Sequence, residues 1–378
     1  MPSDTIRFVL SRQLAELPVN GQQWNALLAE TAGASVFQTY EWFESWWTTL
    51  GGKNELFVVT MWDGQTLLGI APLMIVRRTG LRSLEFTGTP NADYQDFILG
   101  RRAAELLPLL ARQLFERRDA WDMIVLRNVP TDSPTFAVLP AAMRSLGLGA
   151  TDFERVSCPM LQISSRPGDV ERSRRRYSLR RRVKGLQQHG DVTFMRFETQ
   201  SQVKYYLPLF FDQYQERRRG TAAARSFNRP EVRAFYEALT KSLLPRGWLH
   251  FSVLKCGERP VAFHFGFEFD GRLFWYKPCF DPTMARQSPG TVLLYFLIQD
   301  AHEKNLTELD FTVGAEPFKY RYTTAERTNA NLRFFKRRWL YAGALGVGWL
   351  RRTAGDWHRA LRNTRKRKER SARPVLSL

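Results

Sequence analysis

The chain has 378 residues, 44% hydrophobic and 13% aromatic, which excludes wholesale disorder and exceeds what one hydrophobic core organises. Its formal net charge of +19 excludes no fold, but it points to phosphate-rich ligands, nucleic acid or an anionic membrane surface as partners. Much of that excess sits in two runs, Arg172, Arg174, Arg175, Arg176, Arg180, Arg181, Arg182 and Lys184, then Arg359, Arg362, Arg365, Lys366, Arg367, Lys368 and Arg370; the rest is nearly balanced. Cys158, Cys256 and Cys279 are widely spaced and form no C-x-x-C pair, so neither a disulfide framework nor a metal site is expected, and a reducing cytoplasm suits them. No run approaches the roughly 20 apolar residues of a spanning helix, and Asp4, Arg7 and Arg12 interrupt any signal-peptide core. A soluble or peripheral cytoplasmic protein is expected.

In chain order, YEWFESWWTTL places Phe43, Trp46, Trp47 and Leu50 at i, i+3, i+4 and i+7, the spacing of one buried helical face. Two apolar runs around Asp63-Gly64 predict a β-hairpin, because Asp-Gly tolerates the positive φ of a tight turn. Strands are predicted at LEFTG, QDFIL, MIVLRNV and PMLQI, with helices near 101–117 and 134–147. The first half is therefore α/β.

The second half repeats the theme. A strand at VTFMRFE and helices near 200–218 and 230–243 lead to a three-stranded meander over 250–280, with turns at Gly257 and Asp270-Gly271. A helix from Gly290 to about Lys304, strand ELDFT, a loop and strand NLRFFKR follow. A helical crossover must return parallel to the strand it left, so the order predicts a mixed sheet. Residues 57–71 and 251–263 share strand, glycine turn and strand, a sign of internal duplication.

Ser288-Pro289-Gly290 opens the helix that follows the meander. Ser288 suits an N-cap and Pro289 the first helical position. The same feature reads either as a well-capped helix start or as a diphosphate site, made by free amides, the helix dipole and Arg286.

Several stretches resemble GNAT-superfamily acetyltransferases of cellulose and exopolysaccharide biosynthesis, the CelD/BcsL type, relatives of the FemAB-like transferases built from two GNAT folds in tandem. They are FQTYEWFESWW, GIAPLMI, TGTPNADYQDFIL, FDPTMARQSPGTVLL and DFTVGAEPFKYRY, and they cover roughly residues 35 to 325. The resemblance implies two tandem GNAT-like domains, each a mixed, largely antiparallel twisted sheet flanked by helices. It implies acetyl-CoA or another acyl-CoA as co-substrate, its diphosphate held at Arg286, Gln287, Ser288, Gly290 and Thr291. Its pantetheine arm would run beside the backbone of Trp275, Tyr276, Lys277 and Pro278. GNAT enzymes usually carry Q/R-x-x-G-x-G/A here, and Ser-Pro-Gly departs from that pattern.

Acyl transfer from a thioester needs a base for the acceptor and an acid for the leaving thiolate. Asp310 and Glu316 are the carboxylates placed to act as base, and Tyr320 or Tyr322 the acid. An acidic residue ending a strand also serves as a cap or ion-pair partner. His264 alternates in AFHFGFEF with Ala262, Gly266 and Glu268, as a hydrogen-bonded strand residue or as a further base. Lys319 and Arg321 are candidates for holding an acceptor phosphate or sugar acid, with solvated loop cations as the plain alternative. In NADYQDF, Asp93 and Tyr94 are candidates for acceptor contact, with a turn-forming Asn-Ala-Asp as the other reading.

These observations divide the chain into a degenerate GNAT-like domain (1–165), a cationic linker helix (166–190) closed by Gly190, an acyltransferase domain (191–338) and a basic, Trp-containing tail (339–378). The tail, with Trp339 and Trp349 beside many cations, fits an interfacial anchor on anionic lipid or a segment packed on the protein. The expected activity is N- or O-acyl transfer to a small-molecule, glycan or cell-envelope acceptor, beside a membrane-bound polysaccharide synthase if the tail binds lipid. The alternatives are a FemAB-like transferase using an aminoacyl-tRNA, to which the cationic linker would be suited, and a non-catalytic component of a synthase complex.

Overall fold

A computed structural model describes residues 6–78, 80–163 and 177–337. Arg172, Arg174, Arg175 and Arg176, and the tail from 338 onward, lie outside the described residues, as does the side chain of Arg180.

The first half runs β1 (Ile6–Ser11), α1 (Gly21–Ala29), α2 (Tyr40–Leu50), β2 (Glu55–Asp63), β3 (Thr66–Arg78), β4 (Leu81–Phe86), α3 (Ala103–Glu116), β5 (Met123–Pro130), α4 (Pro134–Ser145) and β6 (Gly149–Gln162). After α5 (Tyr177–Gln187) the second half runs β7 (Val192–Arg196), α6 (Gln200–Arg217), α7 (Ala222–Phe227), α8 (Pro230–Leu243), β8 (Leu249–Cys256), β9 (Arg259–Phe269), β10 (Arg272–Phe280), α9 (Pro289–Glu303), β11 (Glu308–Asp310) and β12 (Ala325–Phe335). Helix starts follow local chemistry: Asn20 with Gln23 and Thr199 with Gln202 form capping boxes, and Ser133 caps α4 ahead of Pro134. The expected turns hold as well, since Gly64, Gly257 and the pair Asp270-Gly271 all have positive φ.

Among the described residues, twelve strands join one sheet in the order β1-β2-β3-β4-β5-β12-β6-β11-β10-β9-β8-β7. The two halves mirror each other: an antiparallel run of strands, then a helical crossover to a parallel neighbour, β4 to β5 through α3 and β10 to β11 through α9. The parallel returns are those expected of a right-twisted crossover. The halves then exchange their last strands. β12 pairs with β5 of the first half, and β6 pairs with β11 of the second, while β6 and β12 pair with each other from Met160–Ala325 to Gly149–Phe335.

Four expectations need correction. QDFIL forms no strand; only Ile98 bridges, to Ile70, because the segment belongs to a loop anchored elsewhere. The last strands of both halves are longer than their apolar runs, since β6 and β12 continue through polar residues that pair with each other. Gly190 does not cap α5, which ends at Gln187; its φ of 137° serves a close approach instead, where a Cβ would stand 3.0 Å from the Gly257 nitrogen. And α2 is buried on two faces rather than one.

That second face carries the contact between halves. Phe43 stacks on Trp24 at 4.8 Å, whereas Trp42 meets Phe235 of α8 edge-on at 5.3 Å, and Ser45 reaches Ser242 at 3.3 Å. Glu41, buried beside them, is held by Arg246 of the second half at 2.8 Å and by Asn25. One aromatic core thus spans Phe37, Trp42, Trp46 and Tyr94 from the first half and Phe210, Phe235, Phe267 and Tyr276 from the second. Truncating a buried tryptophan of this kind costs roughly 3–5 kcal/mol. Among the described residues, no helix is long and apolar enough to cross a membrane.

Because each half completes its sheet with a strand of the other, fragments 1–190 and 191–378 should give no cooperative thermal transition when purified separately. Co-expressed, they should copurify with one shared transition by circular dichroism. Independent melting of either fragment would show that the exchanged strands are dispensable.

Candidate functional site

The loop 87–99 is pinned from both halves. Thr87 donates to the Pro72 carbonyl, Asn128 to the Ala92 carbonyl and Asn329 of β12 to the Asp93 carbonyl. Tyr276 of β10 donates to the Asn91 carbonyl at 2.7 Å, and Trp46 to the Asn91 side chain. These anchors carry Asp93 and Tyr94 into the seam.

There the Tyr94 hydroxyl donates to both oxygens of Asp310, at 2.9 and 2.8 Å, and the Thr312 amide donates to the same carboxylate at 2.7 Å. Arg327 of β12 forks onto Glu308 at 2.5 and 2.8 Å and stands 3.6 Å from Asp310. Asp310 is 1% exposed. Its pKa is pushed up to about 6, first by burial and then by the charge of Glu308, against the pull of Thr312, Tyr94 and Arg327. Burial and the neighbouring Asp310 likewise raise Tyr94 well above its ordinary value and push the Cys158 thiol up to about 12.

A second group lies against the first. Asp93 is buried, and desolvation raises its pKa, opposed by Lys277, Thr312 and Lys319. Lys277 keeps a partial opening to solvent, yet protein surrounds its ammonium; desolvation lowers its pKa, helped by Arg218 and Lys319 and opposed by Asp93. Lys319, 4% exposed, donates to the carbonyls of Val313 and Gly314 and pairs with Glu316 at 2.9 Å. Burial works against the Glu316 charge, but Lys319 holds this carboxyl below its ordinary range. Gly314 allows that turn: with φ of 115°, its Cβ would meet Glu316 at 2.7 Å.

Beside these groups the sheet opens. β10 pairs with β11 only from Arg272–Glu308 to Phe274–Asp310. From Trp275 to Phe280, β10 has no strand on that side among the described residues, and Thr312 reaches only the Trp275 carbonyl. The open edge runs toward the start of α9. Pro289 is the first helical residue, and a Cβ on Gly290 would stand 3.2 Å from Phe280. Ser288 occupies the cap position without capping: its left-handed backbone, φ 55° and ψ 52°, leaves its side chain without a cap hydrogen bond. Arg286 is exposed, whereas Gln287 turns to His189 at 3.1 Å.

The structure therefore gathers Asp93, Tyr94, Lys277, Asp310, Glu316 and Lys319 at the seam, with the open edge of Trp275, Tyr276 and Lys277 leading to Gly290; the Thr291 amide, expected to be free at the helix start, donates instead to the Ser288 carbonyl at 2.9 Å. Tyr320, 43% exposed, and the exposed Arg321 lie on the outer side of their loop. His264 is on the other sheet face, fully buried under α9. It stacks on Trp275 at 5.1 Å, contacts the Phe274 carbonyl, and meets His250, which in turn reaches Asp300. Arg327, Thr312, Arg218 and Cys158 escaped the sequence reading. Only the alternation of apolar residues around Cys158 hinted at its inward placement.

Comparison with known proteins agrees with this architecture. Residues 173–320 match the family described as Acetyltransferase (GNAT) domain. FemX has 12% identity, a TM-score of 0.61 and coverage of 86% of this chain and 98% of its own. L-PGS from Bacillus licheniformis has 14% identity, a TM-score of 0.51 and coverage of 88% and 96%. A conserved protein of unknown function from Bacteroides thetaiotaomicron VPI-5482 has 13%, 0.51, and 85% and 99%. No curated protein matches the chain in sequence. Residues 173–320 thus match a GNAT domain, and the fold as a whole, two mixed sheets merged into one, is like that of FemX.

Asp310 also supplies a pH test. Its folded pKa of about 6 lies above the ordinary carboxyl value, so the folded state holds the proton more tightly. The stability it contributes is complete at acid pH and is lost as pH rises through about 6. Asp310→Asn should therefore shrink the fall in Tm between about pH 4 and pH 7; an unchanged fall would remove Asp310 as its source.

Proposed function

We propose that the chain is an acyl-CoA-dependent acyltransferase, acetyl-CoA being the first donor to test, which passes the acyl group to a hydroxyl or amine of a glycan or cell-envelope acceptor. The observation that supports this reading is the edge of β10 that opens beyond Phe274 and leads to the Pro289-Gly290 start of α9. An extended amide-bearing arm can pair with such an edge, and a diphosphate suits a helix start. Arg286 is the adjacent cation. Gly290 leaves room there that a larger side chain would take. Such a cofactor supplies an activated thioester, and the residues of the chain orient and deprotonate the acceptor.

In this reading the first half completes the acceptor cleft. Asp93 and Tyr94 bring its loop to the reacting centre, and Asp310 fixes the Tyr94 phenol by accepting from it with both oxygens. Lys319 shapes the 313–316 turn rather than waiting for a ligand in solvent. The location proposed is cytoplasmic, with contact to an anionic membrane or a synthase left to the tail.

A second reading, transfer from an aminoacyl-tRNA, is favoured by the fold shared with FemX and by the exposed Arg181 and Lys184 of α5. Titration calorimetry with acetyl-CoA and, separately, with bulk tRNA decides between them. Saturable acetyl-CoA binding, lost in Gly290→Glu, is expected; Asp310→Asn should retain that binding while turnover falls. Binding of tRNA without acetyl-CoA would replace the first reading by the second.

A further inference from the structure

The ladder between β9 and β10 slips at one step. Phe274 faces Phe267 and the next pair is Lys277 with Phe265, so Trp275 and Tyr276 together stand opposite Gly266. Gly266 is needed there, since a Cβ would come 2.3 Å from the Phe274 carbonyl oxygen and from the His264 ring. A bulge of this kind re-aims the side chains that follow it. With regular alternation Lys277 would share the face of Trp275, under α9. Paired residues share a face, so the slip turns Lys277 onto the face of Phe265, Phe274 and Cys279, toward Asp93.

Lys277 makes no hydrogen bond or ion pair among the described residues; its ammonium rests 3.8 Å from the centre of the Tyr276 ring. The charged groups acting on it are Asp93 from the first half, Arg218 at the end of α6 and Lys319 from the 319–321 turn. The other candidates for a base are occupied. Asp310 accepts from Tyr94 and Thr312, Glu316 is paired with Lys319, and His264 lies on the opposite face.

We propose that Lys277, as the neutral amine, is the proton acceptor of the transfer reaction. This rests on the acyl-transfer reading. The acceptor oxygen or nitrogen attacks the thioester carbonyl, a C–O or C–N bond forms, and the C–S bond breaks. The acceptor proton passes to Nζ, making an ammonium, which hands it to the departing thiolate sulfur; free thiol and neutral lysine result. Burial and the like charges of Arg218 and Lys319 favour the neutral amine, and Asp93, itself raised by burial, opposes them only in its ionised form.

Two measurements on the full chain test this separately from the donor. Competitive labelling with trace acetic anhydride, read by mass spectrometry across pH, should give Lys277 a titration midpoint below those of the exposed Lys53 and Lys241. Arg218→Gln should move it up and Asp93→Asn down. A midpoint shared with the exposed lysines overturns the proposal whatever the donor is. In parallel, thiol release from acetyl-CoA with water as acceptor should follow the Lys277 midpoint in its pH profile. It should fall about 100-fold in Lys277→Arg, with acetyl-CoA affinity by calorimetry unchanged. Retention of the wild-type profile in Lys277→Arg also overturns the proposal. Failure of acetyl-CoA to bind the wild type defeats the donor reading instead, leaving the labelling result to stand or fall alone.

Discussion

The exchange of β6 and β12 is the constraint from which the rest of the molecule follows. Either strand, kept in its own half, would leave a sheet edge unpaired at the centre of the protein, with buried backbone groups lacking partners. Crossed over, they close both sheets at once. The exchange also builds the seam chemically: β11, which carries Asp310, lies against β6 of the first half, and β12 brings Arg327 beside Asp310 and Asn329 beneath Asp93. A side chain from each half is therefore needed to satisfy the other.

Burying this much ionisable chemistry is costly. A carboxyl moved from its ordinary value to about 6 gives up about 3 kcal/mol at neutral pH. A large aromatic core offsets such terms, and the Arg327–Glu308 fork keeps the remaining charge paired. Structural ion-pair networks also perturb carboxyls, so the shift of Asp310 alone does not mark a reacting centre. What distinguishes the seam is that perturbed groups of both signs, Asp93 and Lys277, lie beside a strand edge that has no partner among the described residues. An ion pair serving stability alone would sit at contact distance, and no such pair forms between these two.

Much of the fold was legible because it is written in local patterns. Helical spacing at Phe43 and Trp46, the Asp-Gly turns and the strand–helix–strand order around α9 each carry a period or a turn signal that survives tertiary packing. The exchange was not legible, since β6 and β12 pair through residues such as Arg327, Asn329 and Asn331, whose polarity resembles that of a loop. At the site, Asp93 and Tyr94 were reached through resemblance, Asp310, Glu316 and Lys319 through their places on the strand and loop after α9, and the fold brings them together. The direction of Lys277 was hidden: it depends on a one-residue slip opposite Gly266, and strand alternation alone places it on the wrong face.

The two donor readings draw on the same surface, which is why net charge cannot separate them. α5 packs against α9 and the turn before it through Val183 and Leu186, and His189 reaches Gln287. The helix that carries Arg181, Arg182 and Lys184 therefore borders the start of α9, where the proposed diphosphate would lie. Any polyphosphate, free or part of a nucleic acid, would be drawn there by long-range attraction. On the proposed reading, selection falls to the open edge of β10, where backbone spacing rather than charge would decide what is held. In the proposed reaction, an arm pairing with Trp275 to Pro278 would bring its reactive end to the bulge that turns Lys277 toward the face of Phe265. Proton removal in that proposed reaction would depend on a single irregularity in one strand, and donor binding on the edge beside it.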